Sequence, residues 1–553
     1  GDSDEELIQA VRSGRINEAL IDRRVEELLA AVLPIREAVD KAKGKEFDRE
    51  AHHKMAQKAA EQSIVLLKNE NGILPLDEQT KVAVIGDFAK TPRYQGAGSS
   101  VVNPTKLDST LDVIKEFPLQ MAGFAAGYHR TGPADPALER EAVELAKKAD
   151  VVLLYIGLDE ISESEGLDRQ NMKLPGSQVR LLQMVSDANP HVVAVLSGGS
   201  PIEMPWIGQC EAVIHGYLSG QAGAAAMLNA ILGKVNPSGK LNETYPLAYE
   251  DVPSAPYFPS RERNAEYREG LYVGYRYFET VGKPVRFPFG YGLSYTTFTY
   301  SDLTVNEQEA SFTLANTGEM DGAETAQLYV RAKCSGVYRP AKELKGFRKV
   351  FLKAGESQKV TIPLDDKAFR YFNETTGRFE VEGGEYEILI GASCADIRLS
   401  AAVTAAGSEA PLPRDISKLP SYQSGNILAV SDQEFQALLG HAIPDGRWSG
   451  ELDINDAICQ LYYAKRWIGR LAYKVLTGLL DKSMAKGKPD LNIMFIYNMP
   501  FRGIGKMAGG MCSQYMVEGM VKAVNGQFFK GLGQIISGFF RQRKVMKKAN
   551  GMK

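Results

Sequence analysis

Hydrophobic and polar positions follow two different rhythms along this chain, and the rhythm changes near residue 298. Between residues 81 and 232, short apolar runs alternate with segments of helical periodicity. The runs are 82–86, 151–157, 192–196 and 212–214, and the helical segments are 136–148, 176–187 and 220–232. Because strands buried on both faces are continuously apolar and alternate with helices, this pattern predicts a parallel sheet with helices on both sides.

Helical periodicity also marks the start of the chain. Residues 3–42 predict two helices, with Ser3 as an N-cap and a break at Gly14, and residues 52–67 predict a third. The apolar stripes of the first two helices need a partner surface. Without one, residues 5–40 are expected to expose apolar side chains.

After residue 298 the pattern becomes one of short strands separated by turns at 316–318 and 382–384, which is typical of an antiparallel β-sandwich. The predicted fold class is α/β: an α/β/α sandwich with a mostly parallel sheet, then a β-sandwich and a helical C-terminal extension. The predicted segments are terminal helices (1–45), α/β sandwich (46–250), Tyr- and Pro-rich linker (251–300), β-sandwich (301–405), and linker with helical extension (406–553).

The composition of the chain restricts the kinds of partner and the cellular compartment that are expected. The 553 residues carry a net charge of −3 with 44% hydrophobic and 24% charged residues, which predicts neither a nucleic-acid nor a membrane partner for the whole chain. Five scattered cysteines without a CxxC pair favour a reducing, cytoplasmic compartment. The chain opens into a helix without an initiator Met, so its true N-terminus is expected to be missing and a signal peptide stays open.

The C-terminal segment is far more basic than the chain as a whole. Residues 501–553 contain ten Lys or Arg against one acid, beside an apolar face formed by the aromatic and aliphatic residues of 528–540. We expect these helices to dock on the body of the protein. Association with a membrane surface is the less favoured alternative, and oligomerisation is left open.

The candidate chemistry lies in an acidic loop after the apolar run 151–157. Cleaving a glycosidic bond requires one carboxylic acid and a second carboxylate. Glu160, Glu163 and Glu165 are close in sequence, so repulsion is expected to raise at least one pKa, whereas Arg169 would lower the pKa of its partner. By itself, this loop is as well explained by a solvated acidic surface.

A glycine-rich segment follows another strand at the same predicted sheet edge. Gly96, Gly98, Ser99 and Ser100 resemble a phosphate loop only superficially, because the third glycine and the lysine are absent. We expect them to border the pocket that contains the acidic loop. The sequence predicts no cofactor and no metal site.

Several motifs that occur in a fixed order favour a catalytic role for the acidic loop over a solvated acidic surface. They are the segments 60–69, 72–76 (GILPL), 82–86, 165–169 (EGLDR), 236–240 (NPSGK), 269–277, 287–295 (FPFGYGLSY) and 342–347. In this order the chain resembles glycoside hydrolase family 3, especially bacterial β-glucosidases that carry a fibronectin type III-like domain.

The resemblance implies roles for the loop residues. It places the catalytic acid/base at Glu165, with Glu163 as the fallback, and Asp168 and Arg169 are expected to support the loop by an ion pair. The family's nucleophile lies in a Ser-Asp-Trp motif of an N-terminal TIM-like barrel. This motif is absent from the chain, since its three tryptophans follow Pro or Arg.

The chain is therefore expected to be a family member that lacks the barrel, with residues 1–45 resembling its last helices. The implied function is retaining hydrolysis of terminal β-linked glucose, with a carbohydrate as substrate and only the acid/base half of the site in this chain. A β-xylosidase or broad β-glycosidase of the same family is one alternative. A non-catalytic carbohydrate-binding or scaffold protein is the other.

Overall fold

The computed structural model describes residues 4–260, 262–448, 450–485, 490–508 and 511–550, and the chain divides into two compact units, residues 1–53 and 54–553. The first unit contains helices α1 (Asp4–Arg12) and α2 (Glu18–Ala42). Asn17 caps α2 by accepting a hydrogen bond from the Ala19 amide. No residue of α2 is buried, so its apolar stripe is uncovered within this unit. The expected N-cap at Ser3 lies outside the described residues.

A six-stranded mixed sheet forms the centre of the second unit. Its strands are β1 (Val65–Asn69), β2 (Lys81–Ile85), β3 (Gln120–Ala125), β4 (Val151–Gly157), β5 (Val192–Ser197) and β6 (Ala212–Tyr217). The spatial order is β1-β6-β5-β4-β2-β3, with β1 antiparallel to β6 and all other pairs parallel. The loops after β2, β4, β5 and β6 therefore leave the sheet at one edge, where open α/β sheets bind their ligands.

Helices cover both faces of this sheet, as the apolar runs predict. They are α3 (Arg49–Ser63), α4 (Thr110–Val113), α5 (Pro136–Ala146), α6 (Gly176–Ala188) and α7 (Gly223–Ile231). Side chains alternate along β4: Val152, Leu154 and Ile156 pack with α5 and α6 on one face. Val151 and Leu153 pack with α7 on the other. The predicted α/β/α arrangement is confirmed.

The predicted helix over 52–67 is wrong at its end. Helix α3 stops at Ser63, and residues 65–69 form β1, an edge strand paired with β6. The apolar residues of β1 continue the helical spacing of α3, but Val65, Leu66 and Leu67 are buried against the sheet. Strand β3 was also not predicted, because five of its six positions are partly or fully exposed.

A linker connects the sheet to the β-sandwich. It contains β7 (Tyr245–Pro246), α8 (Tyr275–Val281) and β8 (Val285–Phe287). Tyr275 is buried, stacks on Phe289 and packs edge-on against Tyr329 of the sandwich. Its hydroxyl also accepts a hydrogen bond of 2.8 Å from the Leu344 amide. Aromatic residues of the linker thus fill the junction with the sandwich.

The β-sandwich pairs a three-stranded with a four-stranded antiparallel sheet. The strands are β9 (Phe298–Val305), β10 (Glu309–Asn316), β11 (Gly322–Ala332), β12 (Glu343–Leu352), β13 (Ser357–Pro363), β14 (Arg370–Asn373), β15 (Arg378–Val381), β16 (Gly384–Gly391) and β17 (Ile397–Ala405). One sheet has the order β13-β10-β9 and the other β12-β11-β16-β17, and β14 and β15 form a separate hairpin. This agrees with the predicted antiparallel sandwich.

The C-terminal extension is helical, as predicted. Its helices are α9 (Pro420–Ser424), α10 (Asp432–Leu439), α11 (Trp467–Met484), α12 (Leu491–Asn498), α13 (Gly503–Met507), α14 (Gln514–Val524) and α15 (Phe528–Asn550). The basic helix α15 packs on α14, where the Gln534 amide donates to the Tyr515 carbonyl oxygen at 2.8 Å. None of the helices in the described ranges is sufficiently long and apolar to span a bilayer.

Candidate active site

Glu165 lies where two loops at the carboxyl edge of the sheet meet. The loop after β4 pairs with the loop after β2 through a parallel bridge between Ser164 and Ala97. The Glu165 amide donates to the Ala97 carbonyl oxygen at 2.8 Å. This pairing fixes the backbone on both sides of the carboxylate and leaves the Glu165 side chain exposed to solvent.

The glycine-rich loop holds the Glu165 carboxylate directly. The amide and the hydroxyl of Ser99 both donate to Oε2 of Glu165 at 2.6 Å. Gly98 permits this approach, because it has φ +145° and an added Cβ would lie 2.5 Å from Glu165. Gly96 and Ser100 lie beside each other, since a Cβ on Gly96 would be 3.4 Å from the Ser100 hydroxyl oxygen.

These bonds stabilise the charged form of Glu165. The two hydrogen bonds from Ser99 favour the carboxylate and hold the pKa of Glu165 below its usual value. Clustering of the acidic residues predicts a raised pKa in this loop, so for Glu165 the shift has the opposite sign. The reason is that Glu165 is exposed and hydrogen-bonded, whereas repulsion between neighbours in sequence is weak in water.

Glu163 occupies a different environment. Its carboxylate accepts hydrogen bonds from the Gly199 amide at 2.8 Å and from the Ser200 hydroxyl, and it lies 3.8 Å from the guanidinium of buried Arg93. Glu163 therefore ties the loop after β4 to the turn after β5. The turn at residues 197–200 supplies two of these donors.

The expected ion pair between Asp168 and Arg169 is not formed. Arg169 instead donates to the Ser200 hydroxyl at 2.7 Å and to the Pro201 carbonyl oxygen at 2.9 Å. Within the described ranges, no ion pair joins it to Asp168, which is exposed. Because Arg169 is drawn towards the turn after β5, the carboxylate next to it in sequence is left in water.

Glu243, which was not among the predicted site residues, is a carboxyl group with a raised pKa near Glu163 and Arg169. Burial raises the pKa of Glu243 to about 7, with a further contribution from Glu163 and opposition from Arg169. Its Oε1 is buried and has no hydrogen-bond partner among the described residues. No local signal indicates this, because the shift arises from tertiary burial of a residue in the stretch LNETY.

Replacing Glu243 by Gln is expected to stabilise the protein at pH 8 but not near pH 5. A carboxyl group whose folded pKa lies above its unfolded value stabilises the fold below the unfolded value, 4.5, and this contribution is lost as the pH rises through about 7. Since Gln does not ionise, Glu243→Gln should gain up to about 3 kcal/mol over the native chain at pH 8. Urea unfolding at both pH values measures the free energy of unfolding of each variant. Glu78→Gln, at an exposed position, is the control. Equal gains of Glu243→Gln at both pH values would contradict the prediction.

A pocket of about 570 Å³ opens beside Glu165. One wall consists of Gly98, Ser99, Glu165 and Gly166, and the other is formed by residues of α12 and α13 and the segment between them. Glu165 is the only acidic side chain among the described residues that line it. In the described ranges, no group of three or more His, Cys, Asp or Glu is arranged to hold a metal ion.

Comparison with known proteins identifies the family. Residues 64–295 match the glycosyl hydrolase family 3 C-terminal domain, and residues 324–394 match a fibronectin type III-like domain. Thermostable beta-glucosidase B of Acetivibrio thermocellus is 37% identical over 536 residues, which are 95% of this chain and 66% of that protein. The chain belongs to glycoside hydrolase family 3.

Other family 3 proteins differ in the sugar that their names specify. An exo-alpha-(1->6)-L-arabinopyranosidase of Bifidobacterium breve is 46% identical over 73% of this chain and 55% of its own length. The crystal structure of a family 3 beta-glucosidase from Bifidobacterium adolescentis is 42% identical, with a TM-score of 0.70 over 78% of this chain and 65% of that one. The chain thus spans between about half and two thirds of these relatives.

Proposed function

We propose that this chain supplies the acid/base half of a retaining β-glycosidase of β-glucosidase type, with Glu165 as the acid/base. The observation that carries this proposal is the exposed Glu165 carboxylate in a pocket at the carboxyl edge of the sheet, within the motif EGLDR. Glu163 is less suited to proton transfer, because Gly199, Ser200 and Arg93 already occupy its oxygens.

The lowered pKa of Glu165 fits one half of this reaction directly. In a retaining mechanism the same residue first protonates the leaving oxygen and later removes a proton from water. The hydrogen bonds from Ser99 favour the base form that the second step uses. For the first step the carboxyl group must be protonated, and a bound sugar that excludes water from Glu165 raises its pKa by desolvation.

The second carboxylate is proposed to come from outside this chain. A retaining mechanism places the nucleophile about 5 Å from the acid/base, on the opposite side of the anomeric carbon. Glu160 is engaged by Arg130 at 3.0 Å, and Asp159 accepts a hydrogen bond from the Ser162 amide within its own loop. Neighbours on one loop leave no space for a sugar between them. The family's N-terminal barrel is the proposed source.

The stereochemical course tests the proposal. We define the fused protein as this chain preceded by the N-terminal portion of Thermostable beta-glucosidase B that the chain does not cover. Proton NMR of its reaction with an aryl β-glucoside is expected to show β-glucose first and α-glucose only through later mutarotation. Initial release of α-glucose would contradict the retaining mechanism.

The sugar itself is a second question, because one of the relatives above is named an arabinopyranosidase. The assay therefore includes an aryl α-L-arabinopyranoside at the same concentration as the glucoside. We propose glucose as the preferred sugar, because the alignment with the A. thermocellus beta-glucosidase extends over 95% of the chain. A higher kcat/KM for the arabinopyranoside would shift the assignment to that activity.

A further inference from the structure

The C-terminal extension forms one wall of the pocket beside Glu165. Helices α11, α13 and α14 share an apolar core with the segments beside them, in which Met499, Phe501 and Val517 are buried. Helix α12 packs against α11, where the ring centroids of Tyr473 and Tyr497 lie 6.4 Å apart. Met494 of α12 is 2% exposed, while Phe495 is 50% exposed. The extension is therefore a folded unit that presents side chains towards the pocket.

Helix α12 is attached directly to the loop that carries Glu165. The Asn498 side-chain amide donates to the Gly166 carbonyl oxygen at 2.6 Å. The Ser164 hydroxyl lies 3.9 Å from the Met494 sulfur. Gly166 has φ +81°, and a Cβ there would lie 2.9 Å from the Asn498 amide nitrogen. The residues on both sides of Glu165 therefore contact α12, across 330 and 332 positions of sequence.

The two walls of the pocket differ in chemistry. The wall from the sheet edge offers the Glu165 carboxylate and the Ser99 hydroxyl. The wall from the extension is mostly apolar, with Leu491, Met494, Phe495, Met499, Pro500 and Met507 among its members. Phe495 and Met507 are half exposed or more, so they are accessible to a ligand. Methionine side chains are flexible and polarisable, and they adapt to apolar ligands of varied shape.

We propose that this apolar wall is the aglycone site, and that Phe495, Met494 and Met507 determine a preference for aryl or other apolar leaving groups. A general acid must lie within hydrogen-bond reach of the leaving oxygen, so the leaving group emerges next to Glu165. The apolar surface beside Glu165 belongs to the extension. This inference rests on the proposed function, because it takes Glu165 to be the proton donor.

Binding can be measured without turnover. The 553-residue chain labelled with ¹³C-methyl methionine is titrated with phenyl β-D-glucoside. We expect the methyl signals of Met494 and Met507 to shift, and those of Met204 and Met227, which are buried in the core of the sheet, to stay in place. The inference would be overturned if no methyl signal shifted up to the solubility limit of the glucoside, or if all four methyl signals shifted equally.

Kinetics of the fused protein separate the inference from the proposed function. Phe495→Ala and Met507→Ala should each raise KM for phenyl β-D-glucoside, with Phe495→Ala costing about 5- to 10-fold from the lost ring contact. KM for methyl β-D-glucoside should change by less than about 2-fold. Phe529→Ala is the matched control, because Phe529 is 86% exposed on α15 and does not line the pocket.

The outcomes are distinguishable. Equal effects of Phe495→Ala on both glucosides, in an otherwise active fused protein, would overturn the aglycone site and leave the proposed function standing. A fused protein that hydrolyses no glycoside would count against the proposed function, and the methionine titration would then still decide whether the apolar wall binds an aryl group.

Discussion

The 553-residue chain alone is expected to hydrolyse no aryl β-glucoside in a Glu165-dependent way, whereas the fused protein should do so. The difference should be on the order of 10⁶-fold, the lower end of enzymatic rate accelerations. The physical reason is that the described lining of the pocket contains one carboxylate, Glu165, whereas the retaining mechanism requires two on opposite sides of the sugar. Release of 4-nitrophenol from its β-glucoside measures both proteins.

The control for this experiment is Glu165→Ala in each protein. In the fused protein it should slow release of the leaving group, and in the chain alone it should change nothing above the background. Turnover by the chain alone that disappears on replacing Asp159 or Asp168 would show that the nucleophile lies within these residues, and the proposal that it comes from a barrel would then be wrong.

The central strands were predictable because each is buried on both faces and therefore continuously apolar. Strands β1 and β3 were not. The apolar residues of β1 continue the spacing of α3, and a short apolar run does not distinguish a helix end from a strand. Strand β3 contains Ala122 and Gly123 and is mostly exposed, so neither hydrophobicity nor strand propensity marks it.

The shared position of the loop residues was predictable from the sequence, but the hydrogen bonds between them were not. Glu165 and Ser99 both follow strands of the same sheet, so their sharing of one edge follows from topology. Their hydrogen bond joins residues 66 positions apart and depends on the pairing of Ala97 with Ser164. The pKa of Glu243 depends mainly on its tertiary burial, and the contact of Asn498 with Gly166 depends on the tertiary packing of α12; the sequence contains no local pattern for either.

Replacing Glu165 by Ala in the fused protein is expected to reduce kcat by roughly 10²- to 10⁴-fold for glucosides with basic leaving groups, such as phenyl or methyl. For 2,4-dinitrophenyl β-glucoside the first step should be far less affected, because this leaving group departs without a proton. The ratio of kcat/KM for the two substrate classes measures the general acid contribution, since kcat/KM reports the first irreversible step.

Two further measurements complete this test: rescue of Glu165→Ala by azide, and the kinetics of a Glu163 variant. Azide needs no general base, so it should accelerate turnover of the dinitrophenyl glucoside by Glu165→Ala and give β-glucosyl azide, which NMR identifies. Glu163→Gln is the matched variant; because Glu163 bonds Gly199 and Ser200 and faces Arg93, its loss should disturb the loop and slow both substrates alike. If the Glu163 variant instead showed the steeper dependence on the leaving group and the azide product, Glu163 would be the acid/base, and its bonds to Gly199 and Ser200 would have to open during each turnover.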